Sequence, residues 1–401
     1  MNNETTDIRL RLGLQPVINV SGTMTTLGAS IVVPRAIDAV AEILPQFVEI
    51  HDLQRKAGVV IARLTGAEAG CVTASASAGI TTAVAGAMTG ADLARIEQLP
   101  DTTGMKNEVL LQAGHNVNYG APVEQAIRLT GAKVVMVGTA THALPYQLAG
   151  KITECTAAAV YVVSHHAVDY GQIPLREFAR ICHEHGVPVI ADLASEYDLR
   201  GFLEQGADVA IYSAHKFLGG PTAGIVAGSR EFVRTAYFQN HGIGRGMKVG
   251  KEGIVGAMAA LEAWETRDHQ AVRELETGYL KLWQARLCGF AGITAIIEPD
   301  PTNNPLDRLK LSINPNEANI TAWELADRLA VGEPPVIVRD HESEHGYVYL
   351  DPCNLHPGQA EMVADRIGEE LELAAQHGSP EHEDLTAMQA RKFKKSMSWP
   401  D

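Results

Sequence analysis

Short apolar runs alternate with amphipathic stretches from about residue 34 to residue 228. The runs are rich in Val, Ile and Ala, as is typical of strands that are buried on both faces of a sheet. The stretches between them place apolar residues at helical spacing, for example Leu175, Phe178 and Cys182 after Pro174. Strand, helix and strand in repeated order predict a mostly parallel α/β sheet. We expect its strands at Ala69–Val72, Glu108–Gln112, Lys133–Val137, Ala158–Ser164, Val187–Ala191, Asp208–Ser213 and Gly224–Ala227.

A different pattern begins near residue 251. Long helical stretches come first, and short apolar runs then alternate with two more helical segments, which predicts a smaller α+β domain. The expected strands are Leu309–Ile313, Val336–Arg339 and Tyr347–Leu350, with helices near Thr321–Leu329 and Pro357–Ala375.

These patterns divide the chain into four parts. We expect an N-terminal arm over residues 1–45, a large domain over 46–265, a small C-terminal domain over 266–378 and a polar tail over 379–401. A basic cluster in the tail, from Arg391 to Lys395, is predicted to be a solvated or packing surface, which is the usual role of charged residues near a terminus.

The bulk composition narrows the class of protein. The 401 residues are 46% hydrophobic, enough for a large core, and carry a formal net charge of -15. That acidity argues against nucleic acid as a partner, since phosphate contacts need clustered Lys and Arg. The five cysteines form no Cys-x-x-Cys pair, which indicates reduced thiols in the cytoplasm and no metal site. No apolar run approaches the roughly 20 residues that a membrane span needs, so a soluble protein is expected.

The sharpest chemical signal is the segment 213–221, Ser-Ala-His-Lys-Phe-Leu-Gly-Gly-Pro. Lys216 follows a predicted strand and precedes a tight turn, so its amine can reach a cleft at the sheet edge. Such an amine forms an imine with an aldehyde when burial or a neighbouring cation lowers its pKa. Ser213 and His215 add hydrogen-bonding groups suited to a phosphate or to orienting the amine. The alternative is a surface lysine at a turn.

Asp192 closes another apolar run, at the sheet edge where ligands bind in open α/β proteins. Pyridoxal 5′-phosphate (PLP) needs a carboxylate against its pyridine nitrogen, because the protonated ring withdraws electrons from the substrate Cα. Asp192 precedes Lys216 by one predicted strand, which suits a shared site. Taken alone, an aspartate at this point is as readily a helix N-cap.

Residues 73–79, Thr-Ala-Ser-Ala-Ser-Ala-Gly, lie between a predicted strand and a helix of small residues. Backbone N–H groups at such a helix start, with the Ser75 and Ser77 hydroxyls, can bind a phosphate, and the small Ala76 lets the backbone come close. A plain serine-capped helix is the alternative. Together with Lys216 and Asp192, the segment predicts the phosphate end of a PLP site.

Less specific polar residues follow other predicted strands or lie in loops. His115 can stack on the ring or act as an acid or base, with a capping or core histidine as the alternative. Ser164 can contact the ring hydroxyl. Arg245 and Lys248 lie in a basic loop that either binds an anionic substrate or is merely solvated. Arg339 suits the bidentate grip on a substrate carboxylate.

Taken in order, these segments resemble the fold type I PLP enzymes, which share the aspartate aminotransferase-like fold. Within them the chain is similar to the branch of bacterial selenocysteine synthases and D-glucosaminate-6-phosphate ammonia-lyases. The resemblance rests on residues 17–23, Val-Ile-Asn-Val-Ser-Gly-Thr, on 63–69, Arg-Leu-Thr-Gly-Ala-Glu-Ala, and on the segments 213–220 and 244–251. It covers about residues 19–375, most of the chain.

The resemblance implies a role for each candidate residue. Lys216 would carry the cofactor and Asp192 would pair with its ring nitrogen. A homo-oligomer is also implied, in which the basic loop reaches across subunits. The residues implied to hold the phosphate are Ser75, Ala76, Ser77, Ser213 and His215, and those implied to bind substrate are Asn19, Arg245, Lys248 and Arg339.

The expected reaction is α,β-elimination on a β-hydroxy amino acid or amino-sugar acid, such as D-glucosaminate 6-phosphate. Lys216 would remove the Cα proton, and the products would be a 2-keto acid and ammonia. A PLP-dependent racemase or epimerase is the alternative, with His115 as one candidate for its second base. Aminotransfer and selenium transfer are less favoured, the latter because the chain is acidic and is expected to lack a tRNA-binding N-terminal domain.

Overall fold

The computed structural model describes residues 7–168, 170–377 and 382–400. Residues 1–6 of the expected arm, and 379–381 and 401 of the expected tail, lie outside the described residues. The described strands are β1 Ile18–Val20, β2 Ala69–Thr73, β3 Glu108–Gln112, β4 Lys133–Val137, β5 Thr156–Val162, β6 Val189–Asp192, β7 Val209–Ser213, β8 Gly224–Gly228, β9 Ile293–Pro299, β10 Asp307–Ile313, β11 Val336–Val338 and β12 Tyr347–Leu350.

Helices connect most of these strands. None of the helices in the described ranges combines the length and apolar character that crossing a bilayer requires. The α-helices are α1 Ile8–Arg11, α2 Pro34–Ile43, α3 Ile50–Thr65, α4 Ala76–Thr89, α5 Leu93–Gln98, α6 Val123–Arg128, α7 Pro145–Ala149, α8 Leu175–Glu184, α9 Gly201–Glu204, α10 Arg230–Phe238, α11 Lys251–Thr266, α12 His269–Leu287, α13 Pro315–Ala318, α14 Ala322–Val331, α15 Gln359–Gln376 and α16 Leu385–Ser396.

Residues 30–267 form one compact unit around a seven-stranded sheet with the order β2-β8-β7-β6-β5-β3-β4. The neighbours from β7 to β4 pair in parallel, whereas β8 runs antiparallel to both β2 and β7. The predicted mostly parallel α/β fold is therefore confirmed. Strand ends agree with the predicted ones to within two residues, the usual uncertainty of element boundaries.

Successive side chains of each strand point to opposite faces of this sheet, so an apolar core lies on each face. Val189 and Ala191 of β6 belong to one apolar cluster, with Phe178 of α8, and Ile190 between them belongs to the other, with Ile80 of α4. Successive side chains of a strand point to opposite faces, so a strand that is apolar at every position needs helices on both sides. The continuous apolar runs of the sequence reflect this double burial.

Residues 1–29 and 268–401 form the second unit. Here β1 pairs in parallel with β11, while β12, β10 and β9 form an antiparallel sheet. Its strands β9 and β10 pack on α12, which packs in turn on α15. Trp283 of α12 is fully buried and donates its indole N–H to the carbonyl of Ala360 at 2.8 Å. The strands β1 and β9 are additions to the predicted set.

The expected arm over residues 1–45 divides between the two units. Its β1 belongs with residues 268–401, because it pairs with β11, whereas α2 packs on α11 within the first unit. In the expected polar tail, residues Leu385–Ser396 form the helix α16. The pairing of β1 with β11 joins segments that are far apart in sequence, so no local pattern predicted it.

Candidate active site

Parallel pairing of β6 with β7 brings two predicted site segments to one sheet edge. Asp192 is the last residue of β6, and its neighbour in β7 is Ile211. Strand β7 ends at Ser213, after which the chain enters the loop that carries Lys216. Because the carboxyl ends of parallel strands meet at the same edge, the fold itself delivers the carboxylate and the amine to one place.

The Lys216 amine has a defined environment. Its Nζ donates a hydrogen bond to Ser195 Oγ at 2.7 Å. Burial lowers the pKa of Lys216, and the nearby carboxylates of Asp192 and Glu196 act in the opposite direction. A lowered pKa raises the fraction of neutral amine at working pH, and that neutral form attacks an aldehyde or removes a proton.

The backbone of the lysine loop is fixed by two further contacts. The Ser30 hydroxyl lies 2.6 and 2.7 Å from the carbonyl oxygens of His215 and Lys216, to which it can donate. Gly219 has φ +67°, and a Cβ there would lie 2.9 Å from Cγ1 of Val33. Glycine is therefore required at this turn, for its left-handed backbone and for the close approach.

Two buried polar atoms at this edge lack a hydrogen-bond partner among the described residues: Oδ1 of Asp192 and Nδ1 of His215. Burial raises the pKa of Asp192 to about 6. The Lys216 charge and a hydrogen bond from the Ala194 N–H lower this pKa, but burial outweighs them. Burial also lowers the pKa of His215, as does the Lys216 charge. Unsatisfied buried polar atoms are costly, so this pair indicates a ligand that supplies donors and acceptors.

The predicted phosphate segment lies at the start of α4. Ser75 is the N-cap, and its Oγ accepts from the N–H of Ala78 at 3.0 Å. The Ser77 hydroxyl accepts from Tyr119 at 3.2 Å. A Cβ at Gly224, in the adjacent β8, would lie 2.1 Å from the Ser75 carbonyl oxygen, so glycine is needed for this close approach. A 14-residue helix that begins directly after a strand directs its first N–H groups outward, as an anion site requires.

His115 and Ser164 have contacts of a more structural kind. The His115 ring is 3% exposed, packs edge-on against Tyr161 with ring centroids 4.5 Å apart, and accepts from the N–H of Val162 at Nδ1. Burial lowers the pKa of His115 to about 4, so the imidazole is neutral near pH 7. Ser164 Oγ accepts from the N–H of His166 at 3.2 Å in a local turn.

Residues of the second unit include Asn19 and Arg339. The pairing of β1 with β11 places Asn19 opposite Ile337, two positions before Arg339. Arg339 is 7% exposed, pairs with Glu342 at 3.2 Å, and its Nε has no hydrogen-bond partner in the described ranges. The Asn19 side chain donates to the Gly22 carbonyl and accepts from Ser21, so it also shapes the turn after β1.

The basic loop of the first unit is more open. Arg245 and Lys248 are both exposed, in and just after the 3-10 turn Ile243–Met247. Lys251 begins α11 and donates to the Gln46 carbonyl. Arg245 and Lys248 are therefore available to bind an anion, whereas the Lys251 amine is hydrogen-bonded to a backbone carbonyl.

Four residues of the site were absent from the sequence-based set: Ser30, Tyr119, Ser195 and Glu196. Ser195 and Glu196 follow Asp192 on the same strand end, so the sheet-edge rule that identified Asp192 extends to them. Tyr119 lies near both Ser77 and Asp192, and burial raises its pKa. Ser30 acts through a contact across 185 residues that no local pattern reveals.

Residues 17–285 match the family model of L-seryl-tRNA selenium transferase (SelA), which is more than half of the chain. The chain belongs to the L-seryl-tRNA selenium transferase family. The predicted branch of fold type I enzymes is thereby confirmed.

Within the family, one relative is the D-glucosaminate-6-phosphate ammonia lyase of Salmonella typhimurium, 39% identical over 92% of this chain and 100% of that protein. A solved structure of D-glucosaminate-6-phosphate ammonia-lyase covers 92% of this chain with a TM-score of 0.83. A second relative is the 5′-C-glycyluridine monooxygenase-decarboxylase of a Streptomyces species, 36% identical over 92% of each chain. These family members are enzymes, and so is this one.

A more distant structure supports the fold. Aspartate aminotransferase of Thermus thermophilus covers 89% of this chain with a TM-score of 0.54 at 16% identity. At that identity the likeness concerns the fold alone, and it confirms the aspartate aminotransferase-like fold type I prediction.

Proposed function

We propose that this family member is a PLP-dependent ammonia lyase that performs α,β-elimination on an amino-sugar acid of the D-glucosaminate 6-phosphate type. The observation that carries the proposal is the Lys216 amine, 2.7 Å from Ser195 Oγ and beside the buried Asp192, in a chain 39% identical to a lyase of that name. A reactive amine, a buried carboxylate and an anion-binding helix start are the three protein groups that PLP needs.

The residues present fit this cofactor. Lys216 would hold its aldehyde carbon, Asp192 Oδ1 would accept from its pyridinium N–H, and the start of α4 would hold its phosphate. The orphaned Oδ1 supports this fit, because a buried carboxylate oxygen without a donor is stabilised by an incoming N–H. When bound, PLP withdraws electrons from the substrate Cα.

The chain's own groups supply the proton chemistry. The Lys216 amine takes the Cα proton, and the Ser195 hydroxyl orients that amine through its hydrogen bond. Loss of the β-hydroxyl consumes a proton and releases water. The resulting enamine then takes up water and releases ammonia, so the overall change converts the amino acid into a 2-keto acid and ammonia.

Substrate recognition is assigned to four residues. Arg339 has a nearly buried guanidinium with a free Nε, which suits a carboxylate, and Asn19 lies opposite Ile337, two positions before Arg339. Arg245 and Lys248 are exposed cations that suit the distal phosphate of the substrate. The acidic overall charge of the chain does not oppose this, since recognition depends on the local groups.

The direct test is product formation. We expect purified holoenzyme to convert D-glucosaminate 6-phosphate into equal amounts of 2-keto acid and ammonia, measured by separate assays. The same protein with K216A is the control. If neither keto acid nor ammonia forms from this compound or from related β-hydroxy amino acids, the lyase assignment is wrong.

Oxidative decarboxylation is a second candidate, favoured by the 36% identity to the 5′-C-glycyluridine monooxygenase-decarboxylase. It would use the same lysine and aspartate but would consume oxygen and release carbon dioxide. Oxygen uptake measured with a glycyl-substituted nucleoside distinguishes decarboxylation from elimination.

Racemisation is less well supported, because the buried, neutral His115 is a poor second base.

We infer further that the protein works as a homo-oligomer in the cytoplasm. Exposed apolar side chains, among them Ile37, Leu44 and Phe47, lie within and just after α2, where a second copy would cover them. All five cysteines are free, which agrees with a reducing compartment. Light scattering on purified protein should give at least twice the mass of one chain, 43.0 kDa.

Ser195 provides a test of the proton chemistry. We expect S195A to lower kcat by about 10- to 100-fold, since a hydrogen bond to a charged group contributes roughly 1.5–3 kcal/mol. KM should change little, because Ser195 touches the base and not the substrate-binding arginine. S229A, which removes the N-cap of α10, is the matched control and should keep full kcat. An unchanged kcat in S195A would contradict the assignment.

A further inference from the structure

Basic side chains of the helix α16 form ion pairs with acidic residues of α14 and of the segment before α16. Arg391 pairs with Asp327 of α14 at 2.5 Å and with Glu383 at 2.7 Å. Lys392 also reaches Asp327, at 3.4 Å. Two neighbouring cations of the helix thus share one carboxylate of α14.

The chain before α16 is attached to the same helix. His382 lies 3.0 Å from Glu324 of α14, and the backbone N–H of Glu383 donates to that carboxylate at 3.0 Å. The indole of Trp323 donates to the Glu383 carbonyl, and Met388 of α16 is 4% exposed. These contacts dock the whole helix on α14.

One contact of α16 is made with the residue next to Arg339. Lys392 Nζ donates to Asp340 Oδ2 at 2.6 Å. Burial would lower the pKa of Lys392, but its bonds to Asp340 and Asp327 outweigh burial and raise it, so the ammonium is charged at neutral pH. Asp340 directly follows Arg339, whose backbone N–H and C=O both pair with Tyr349.

We propose that Lys392 is a positioning residue for Arg339, because its ion pair with Asp340 fixes the turn that holds the guanidinium. The inference rests on the proposed function, in which Arg339 binds the substrate carboxylate. The guanidinium is otherwise held by Glu342 in the same turn and by the Tyr349 ring at 5.5 Å. All of these partners lie in β12 or within three residues of Arg339. Lys392 adds a side-chain contact from α16, some 50 residues further along the chain. A planar fork that binds a carboxylate tolerates little displacement.

The test compares K392M with K392R and with K395M, which removes an exposed lysine of the same helix. We expect K392M to raise KM about 10-fold with kcat within two-fold of the wild type and the PLP content unchanged. K392R should restore KM, and K395M should leave it unaltered. D340N removes the partner without touching α16 and should raise KM to the same extent.

A second measurement needs no substrate. Amide hydrogen exchange in the peptide 336–343 should become at least 10-fold faster in K392M and in D340N but not in K395M. Unchanged exchange would overturn the proposal even if the enzyme proves to act on another compound. Faster exchange with unchanged KM would also overturn it, since α16 would then only stabilise the turn. A wild type that makes no keto acid would overturn the lyase assignment, which the exchange data do not affect.

Discussion

The K216A variant should lose keto acid production by on the order of 10⁴-fold while it keeps the wild-type fold. The amine is both the attachment point proposed for PLP and the base for the Cα proton, so no other group in the described part of the site replaces both roles. Circular dichroism would show that the fold is retained, because the loop is held by the Ser30 hydroxyl on the Lys216 carbonyl and by the turn at Gly219, neither of which needs the Lys216 side chain.

Chemical labelling gives an independent measurement of the same residue. Borohydride reduction of the holoenzyme should attach the cofactor to the peptide that contains Lys216, as seen by mass spectrometry. K133A removes an exposed lysine at the start of β4 and should keep the label and the activity. A label on any other lysine, or full activity in K216A, would refute the assigned site.

The D192N variant should combine a large loss of activity with a gain in stability of the cofactor-free protein. Asparagine cannot keep the ring nitrogen protonated, so we expect kcat to fall by about 10³-fold, within the range for acid–base groups. Burial raises the pKa of Asp192 from 3.8 to about 6, so the folded protein holds this proton more tightly than the unfolded chain. Ionisation therefore destabilises the folded state.

The sign of this effect defines the pH window. In the cofactor-free wild type, the stability that the protonated carboxyl contributes is fully present below about pH 3.8 and is lost as the pH rises through about 6. Asparagine has no proton to lose. At pH 8 the cofactor-free D192N variant should thus be more stable by up to about 3 kcal/mol, since each pKa step of one corresponds to roughly 1.4 kcal/mol.

Denaturant unfolding of the cofactor-free proteins at pH 4 and pH 8 measures the difference. We expect the difference in free energy of unfolding between D192N and the wild type to be small at pH 4 and large at pH 8. We also expect PLP to stabilise the wild type far more than D192N. D198N, which changes an aspartate in the same connection after β6, serves as the control. Equal stability of D192N and wild type at both pH values would show that Asp192 is not strained by its burial.

The large sheet was predictable because its signal is local. A strand buried on both faces is apolar at every position, and each such run is bounded by helix starts and turns that are themselves local in sequence. The same rule located Asp192 and Lys216, since both follow predicted strands whose ends must meet at one edge. The segment Ser75–Ser77 was found for the same reason, as the start of a helix after a strand.

The strands β1 and β9 show where local pattern was insufficient. Strand β1 has three residues and exists because it pairs with β11, more than 300 positions later. Strand β9 has exposed residues on one face, among them Ile296, so its apolar residues do not separate cleanly into two faces. Pairing partners of this kind are chosen by packing in three dimensions, which a short window of sequence does not encode.

The sequence by itself determined which residue types follow adjacent strands: an amine and a carboxylate, with a helix start suited to phosphate. Tertiary structure alone decided which groups surround them. The Ser195 hydroxyl on the Lys216 amine, the Ser30 contact with the lysine loop and the Lys392–Asp340 pair all join segments that are distant in sequence. Residue type and strand order are properties of short stretches, whereas distances and burial depend on the whole chain being packed.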